Sequence, residues 1–496
     1  MRVVLIKPSK YTRSGSVERF RTGFMPNATL THLAALTPAR FADRPVETRM
    51  VDEYVHCDLD YLDWLAGRDT LVAMVGVQSH QFHRALDLAA LALDRGVRNV
   101  VIGGPHPMTC DTSALQGRGV SFALAEAERV WPEILADAAA GHGLKAVYGE
   151  GQRWATELPP TPITPPSRDD LKRYFSPMVG LVPMRGCPYQ CKFCAVIQIA
   201  GRAVREQSVD ATIESLRRAR AGGVETVMFV SDNFNKAPSA PALLEAMIEE
   251  DLGLRFFCQC DTVVARQPEF IELLGRAGCF EMFVGVESFS RATLKAAHKY
   301  HNHPETYRSI IEQCAAAGIR AHYSNIIGFP QDTPASIAEH LEALRGLAPK
   351  VVSFYILTPI PGTEQYEEFR RDGLIWETNM DRFDGGCPTW HHPNMSTREL
   401  ETQMYDAYVS HYEFLWRSGR LATPEERNIA ALARLSAKQH LHPMSGGIGP
   451  VEIDRRDDYL ALRRARFDIH DAPLPASLKL SARDEETNRQ AKVAHG

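Results

Sequence analysis

The chain lacks any apolar run near the ~18 residues that a membrane-crossing helix needs. No helical span is therefore expected. It also lacks a surplus of positive charge, with a formal net charge of −5 and an isoelectric point near 6.4. A general nucleic-acid binder is usually basic, so that class is disfavoured. No internal repeat or long low-complexity segment is present, which leaves out repeat architectures. The opening Met1-Arg2-Val3-Val4-Leu5-Ile6-Lys7-Pro8 has too short an apolar run for a signal peptide. It reads better as a first buried strand. Ten cysteines without an export signal predict a reducing, cytoplasmic setting, with metal or redox use rather than disulfides.

What is present is an ordinary globular composition, 44% hydrophobic and 24% charged over 496 residues, long enough for two or three domains. Residues 1–145 alternate short apolar runs with helical patterns. Strands are expected at Val3–Ile6, Thr48–Val51, Val72–Val77, Asn99–Ile102 and Ser121–Leu124, with helix-like content at Leu30–Leu36 and Ala85–Leu93. Continuous β-branched runs indicate strands buried on both faces, hence a parallel sheet. The result is a Rossmann-like, doubly wound α/β domain, which takes ligands beyond the carboxyl ends of its strands.

Residues 146–178 read as a linker, stiffened by Pro159-Pro160-Thr161-Pro162 and Pro165-Pro166. A second βα series fills residues 179–390. Its expected strands are Val179–Met184, Thr226–Val230, Arg255–Gln259, Met282–Val286, His322–Ile327 and Val351–Leu357, with helices such as Val209–Ala221 and Pro268–Ala277. Six such units make a partial (β/α)6 barrel, with function at the carboxyl ends of its strands. Residues 391–496 form a C-terminal helical cap. Met404, Tyr408, Tyr412 and Leu415 share one face; Ile429, Leu432 and Leu435 suggest a second helix; the charged tail from Ser481 is expected to fray.

The most informative segment is Arg185-Gly186-Cys187-Pro188-Tyr189-Gln190-Cys191-Lys192-Phe193-Cys194. Its Cys-x3-Cys-x2-Cys spacing can hold three corners of a four-iron, four-sulfur cluster. Such clusters usually take four cysteines, so one iron stays open to bind a molecule and pass it an electron. Phe193 adds an apolar wall. A structural zinc site is the competing reading, but zinc usually wants four ligands in paired units. No histidine or cysteine follows Cys194 before Cys258.

With an aromatic before its last cysteine, this loop resembles the cluster loop of radical S-adenosylmethionine (SAM) enzymes. Further segments resemble the superfamily's cofactor-contacting stretches: Gly201-Arg202, Val204-Arg205, Asp232-Asn233-Phe234, Gly285-Val286-Glu287-Ser288 and Gly328-Phe329-Pro330. The stretch before the triplet resembles a cobalamin-binding domain, and together they resemble the cobalamin-dependent radical SAM group over about residues 1–390. The resemblance implies that Cys187, Cys191 and Cys194 ligate a [4Fe–4S] cluster whose open iron chelates SAM. Asp232 and Asn233 would lie near the SAM ammonium, Glu287 would accept the ribose hydroxyls and Ser288 would add a contact. Gly328 would admit the adenine, and Pro359 would shape the last rim loop. A turn after the strand at Asp232, or a helix-terminal charge at Glu287, remains the plain alternative. Arg202 and Arg205 are open between neutralising the cluster and forming a solvated turn.

In the first domain, Val100-Val101-Ile102-Gly103-Gly104-Pro105-His106 ends a strand with paired glycines. Gly103, Gly104 and His106 resemble the loop that receives the cobalamin nucleotide tail, and Ser79 in Gln78-Ser79-His80 is placed to hydrogen-bond that tail. Ala125-Glu126-Ala127-Glu128 matches the Gly-Glu-rich turn of such domains only loosely. The string Asp-x-His-x-x-Gly, whose histidine ligates cobalt in many cobalamin proteins, is absent, so cobalamin is expected without a histidine of this chain on cobalt. Residues 9–29, with Arg13, Arg19 and Arg21, read as a long loop that covers cobalamin, meets an anionic substrate or stays solvated. Cys387-Pro388-Thr389-Trp390-His391-His392-Pro393 reads as a packed interdomain turn, with a pocket lining or zinc site as alternatives.

The implied activity is methyl transfer to an unactivated carbon of a small-molecule or lipid-like intermediate. Flavodoxin or ferredoxin would serve as electron donor. A radical cyclase, oxidase or rearrangement enzyme with an auxiliary or vestigial cobalamin domain is the same-class alternative. A non-catalytic cobalamin sensor with a structural metal site is the different-class one.

Overall fold

The computed structural model describes residues 1–469, apart from residues 152, 161–162 and 444–446. The tail from Ser481 and part of the proline-rich segment, Thr161 and Pro162, lie outside the described residues. Two six-stranded parallel sheets organise the rest.

The first sheet runs in the order Glu47–Asp52, Arg2–Lys7, Thr70–Met74, Asn99–Gly103, Ser121–Ala123, Val147–Tyr148. It is buried on both faces, as continuous apolar runs require. Val4, Ile6, Val72, Val100 and Ile102 point into one core, and Val3, Leu5, Leu71, Ala73 and Val101 into the other. The strand order reverses between Arg2–Lys7 and Thr70–Met74. That is the switch point where such sheets open a crevice for ligands.

The second sheet follows sequence order: Met178–Leu181, Thr226–Phe229, Arg255–Cys260, Cys279–Glu287, Arg320–Ile327, Val351–Ile356. This is the expected six-stranded partial barrel. Its last edge is covered by the helix Thr397–Arg417. There Tyr408 Oη accepts the Phe354 N–H and donates to its carbonyl, at 2.9 and 3.1 Å, and Tyr412 does the same for Val352. Two tyrosines thus satisfy an edge that would otherwise be open to further pairing.

Several sequence expectations differ from the structure. The first sheet continues past residue 145, because Val147–Tyr148 pairs with Ser121–Ala123; the preceding helix Ala127–Ala140 was not foreseen. In Pro424–Lys438, Leu432 and Leu435 are 40% and 55% exposed while Ala430, Ala433 and Ala437 are buried. Small residues let this helix pack closely on its neighbour, and the leucines fall on the outer face. Residues 9–29 are not simply a loop. Phe20–Gly23 pairs antiparallel with Gly447–Pro450, and Arg19 is fully buried among Glu53, Tyr61 and Asp454. Arg19 is consumed by this network and is not free for an anionic ligand.

The C-terminal region is only partly a cap on the barrel. After Pro424–Lys438 the chain returns to the first domain, where Arg456–Phe467 packs on Phe82–Asp94 and Arg463 pairs with Asp87 at 3.2 Å. Among the described residues, no helix is long and apolar enough to cross a membrane.

Candidate active site between the two sheets

The cysteine loop is held from several sides. Gly186 has φ +98°, and a Cβ there would lie 2.1 Å from the Ala203 carbonyl oxygen, so only glycine fits. The Cys187 N–H donates to Gly201 O and the Lys192 N–H to Ala297 O, both at 3.1 Å. Tyr189 stacks on His301 with ring centroids 3.6 Å apart. Arg202 donates to Gln190 Oε1 at 3.0 Å and to the Pro188 carbonyl, bracing the loop rather than facing solvent.

Asp232 and Asn233 meet this loop directly. Asp232 Oδ2 accepts the Gly186 N–H at 2.9 Å, and Asn233 Nδ2 donates to Cys187 Sγ at 3.0 Å. Burial pushes the Cys187 thiol up to about 12, with the Cys191 charge adding to it, and raises Cys191 and Cys194 too. A cationic iron–sulfur cluster would have to offset this burial to hold the three as thiolates. Among the described residues, no three His, Cys, Asp or Glu side chains are arranged to hold a single ion. An iron–sulfur cube, with a separate iron for each thiolate, makes no such demand.

Glu287 ends the strand Cys279–Glu287, where the register with Arg320–Ile327 shifts. Its φ is +59°, a left-handed conformation that costs a non-glycine residue about 1–3 kcal/mol and recurs at functional sites. Lys299 Nζ donates to Glu287 Oε1 at 2.6 Å and lies 5.7 Å from the Phe193 ring centroid. Burial works against the Lys299 charge, but Glu287, Cys191 and Cys194 outweigh it and raise its pKa. One buried cation therefore joins the strand-end carboxylate to the cysteine loop. No sequence motif marks Lys299, which sits in a turn.

The other expected contacts divide. Ser288 is buried, and its Oγ accepts the Ser290 N–H at 3.1 Å, so it shapes the turn. Gly328 has φ +87°, and a Cβ there would meet the Leu400 side chain at 2.6 Å; its left-handed backbone already accounts for its being glycine. Pro359 is buried, while its neighbours Thr358 and Ile360 line the site.

That site is a cavity of about 430 Å³ between the carboxyl ends of the two sheets. Ser79, His80 and Pro105 line it from the first domain; Phe193, Glu287 and Tyr355 line it from the barrel. Asp384 is also in the wall, paired with Lys10. Lys10 holds the Asp384 carboxyl down to about 2 despite its burial. These two residues are 374 positions apart, a separation that hides their pairing from sequence reading.

A second pocket, of about 270 Å³, opens at the end of the first sheet. Small residues line it, including Ala73, Gly76, Gly103, Gly104, Ala123 and Ala125. Gly103 lies in ordinary strand conformation, and an added Cβ would meet Ala123 Cβ at 3.3 Å. Gly104 is constrained differently. Its φ is +134°, and a Cβ would lie 2.2 Å from the Val77 backbone nitrogen, so backbone packing alone demands glycine. His106 lies outside both lining sets. It is buried, stacks on Phe82 at 3.8 Å and meets Ser79 Oγ through Nδ1 at 3.2 Å. Burial pushes its pKa down to about 3.

Glu126 and Glu128 close the mouth of this pocket. Glu128 binds Arg185 at 2.7 Å and His32 at 2.6 Å, and Glu126 binds Arg205 at 2.6 Å. Arg205 thus docks the barrel on the first domain rather than forming a solvated turn. The 387–393 segment is a packed turn. Trp390 donates to Leu357 O at 2.9 Å, His392 meets Phe329 O at 2.9 Å, and Arg13 donates to Cys387 Sγ at 3.3 Å.

Comparison with known proteins agrees with this geometry. The Radical SAM superfamily matches residues 181–344. Bacteriochlorophyllide d C-12(1)-methyltransferase of Chlorobaculum tepidum is 29% identical over 305 residues, 59% of this chain and 63% of that protein. The C-8(2)-methyltransferase of the same organism is 25% identical over 370 residues, 71% of this chain and 78% of that protein. The radical SAM methyltransferase TsrM of Kitasatospora setae, solved with cobalamin and a [4Fe–4S] cluster, superposes with a TM-score of 0.59 at 16% identity, covering 99% of both chains. Phe193 and Ala195, beside the cysteine triplet, line one wall of the cavity and Ser79, His80 and Pro105 the other; residues 181–344 carry a radical SAM domain, and the chain as a whole shares the fold of a radical SAM methyltransferase solved with cobalamin.

Proposed function

We propose that this protein is a cobalamin-dependent radical SAM C-methyltransferase acting on an unactivated carbon of a small-molecule or lipid-like intermediate. When bound, the cluster supplies an electron, SAM a methyl group and a hydrogen-abstracting radical, and cobalamin the methyl carrier. Cys187, Cys191 and Cys194 would hold the cluster. Glu287 offers SAM the carboxylate oxygen that Lys299 leaves unused. The small-residue pocket at Gly103 would take the nucleotide tail of cobalamin.

The observation that carries the reading is a cavity with walls from both domains at the carboxyl ends of their strands. Phe193 and Glu287 face Ser79, His80 and Pro105 across it, so a substrate there lies between the SAM side and the cobalamin side. Ile326, Ile356, Leu357 and Phe383 give it an apolar interior, suited to a hydrocarbon portion and to excluding water from a radical. The electron would come from a flavodoxin- or ferredoxin-type donor.

The test is product counting under anaerobic turnover with the reconstituted full-length protein. Candidate substrates are apolar ring systems and lipids of the kinds that the relatives methylate. Methyl transfer yields both S-adenosylhomocysteine and 5′-deoxyadenosine. Deoxyadenosine with little S-adenosylhomocysteine would replace methylation by a cyclisation, oxidation or rearrangement. Cobalamin uptake without any SAM cleavage would make the protein a sensor.

A further inference from the structure

The loop Gln78–Gln81 follows the strand Thr70–Met74 at the switch point of the first sheet. It is rigidly held. Gln81 Oε1 accepts the Gln78 N–H at 3.1 Å and Lys7 Nζ at 2.7 Å, and Ser79 Oγ meets His106. Such a loop presents His80 in a fixed position.

The buried histidines of the first domain are engaged. His32 pairs with Glu128, His56 with the Asp52 carbonyl, His83 with Asp381 and His106 with Ser79. His80 makes no hydrogen bond among the described residues, and it lines the interdomain cavity beside Ser79 and Pro105. Pro105 and Ile199 also line the small-residue pocket. A ligand with its tail in that pocket therefore emerges into the cavity past Pro105, next to His80.

Given the cobalamin reading above, we propose that His80 is the lower axial ligand of the cobalt. The absent Asp-x-His-x-x-Gly string predicts no histidine there, but His80 reaches the cavity from outside any such string. Burial, with the Lys10 charge adding to it, pushes the His80 pKa down to about 3. The imidazole is therefore neutral near pH 7, the form that binds metals. His106, by contrast, spends its Nδ1 on Ser79 and lies outside the cavity lining.

Electron paramagnetic resonance of the full-length protein loaded with cobalamin and reduced to the cob(II)alamin state tests this. The cobalt hyperfine lines should each split into three from one axial ¹⁴N. Labelling the protein with ¹⁵N-histidine should turn each triplet into a doublet. The splitting should vanish in His80→Ala and His80→Gln and persist in His106→Ala. The isotope result needs no variant, so a folding defect cannot hide the outcome. Bound cobalamin with no axial nitrogen splitting, with a triplet that the label leaves unchanged, or with one that His106→Ala abolishes, would overturn the assignment and leave the cobalamin reading intact. A wild-type protein that takes up no cobalamin would overturn both.

Discussion

Glu287→Ala should weaken SAM binding while leaving the iron content unchanged. Of the two carboxylate oxygens, Oε1 is engaged by Lys299 at 2.6 Å, so the ligand has one oxygen to use. A hydrogen bond to a charged group is worth roughly 1.5–3 kcal/mol, and each 1.4 kcal/mol is about tenfold in affinity. Loss of about ten- to a hundredfold is expected. The substitution has a second effect, because it strands a buried lysine. Removing one partner of a buried pair costs about 3–5 kcal/mol of stability, so the melting temperature should fall as well. Glu287→Ala combined with Lys299→Met separates the two effects. It should recover much of the stability and none of the affinity. Anaerobic equilibrium dialysis against SAM, with iron, sulfide and thermal denaturation measured on the same samples, reads all three. Unchanged SAM affinity at full iron content in both variants would refute the reasoning, and Glu287 would be only the counterion of Lys299.

Replacing Cys187, Cys191 and Cys194 together by Ala should remove iron, sulfide and all deoxyadenosine formation; SAM cleavage that survives would end the radical assignment. Gly103→Val should fold and fail to take up cobalamin, since its side chain enters the pocket in an allowed strand conformation. Gly104→Val should instead lower the stability of the ligand-free protein, because its Cβ meets backbone 2.2 Å away; circular dichroism melts with a cobalamin-binding titration distinguish the two, and equal behaviour would sink the distinction. Asp332→Asn should raise the melting temperature at pH 7.5 and not at pH 4. Burial lifts the Asp332 carboxyl to about 6, above its ordinary 3.8, although the Gly328 and Phe329 N–H groups donate to it. Between those values the folded state keeps a proton that the unfolded state has lost, so stability falls as pH rises through that window. A less stable Asn variant at pH 7.5 would refute this.

The parts of the fold that were legible in the sequence are those set by local pattern. All twelve strands of the two six-stranded sheets except Val147–Tyr148 coincide with apolar runs, and Val209–Ala221 ends where its pattern ends. The Pro424–Lys438 helix was legible as a helix, but its buried face was not. Hydrophobicity nominates Leu432 and Leu435, whereas close helix packing selects the alanines. The same limit applies at the site. Cys-x3-Cys-x2-Cys is a local pattern and is visible at once. Lys299 contacts Glu287 and the cysteine loop only because three separate barrel segments converge. Gly104 and Gly328 were legible as special glycines, yet the backbone that requires Gly104 belongs to Gly76 and Val77, which no spacing rule connects to it, and Gly328 is required by its φ of +87°. Glu126 and Glu128 looked like a weak match to a ligand turn, and their arginine partners lie on the far side of the linker.

Those two glutamates bear on why the cavity keeps its shape. A substrate held between walls from two domains reacts only if the walls keep a fixed separation, and misplacement by about 1 Å can cost roughly a hundredfold in rate. An apolar interface would hold the domains together with less directional control. Here the two domains are joined, beside the small-residue pocket, by Glu128 with Arg185 and His32, and by Glu126 with Arg205. The glutamates come from the first domain, and the two arginines flank the cysteine loop. Buried ion pairs gain little net stability after desolvation, but each aligns charge in one geometry. On the opposite side, the returning C-terminal chain adds Asp454 against Arg19 and Arg463 against Asp87. The cysteine loop is therefore indexed to the Rossmann strand ends by charge pairs at its base, and the helix Arg456–Phe467 binds the domain that the chain left some 300 residues earlier. Arg205, which the sequence offered as a neutraliser of a cluster, acts with Arg185 to fix the distance over which its chemistry must reach.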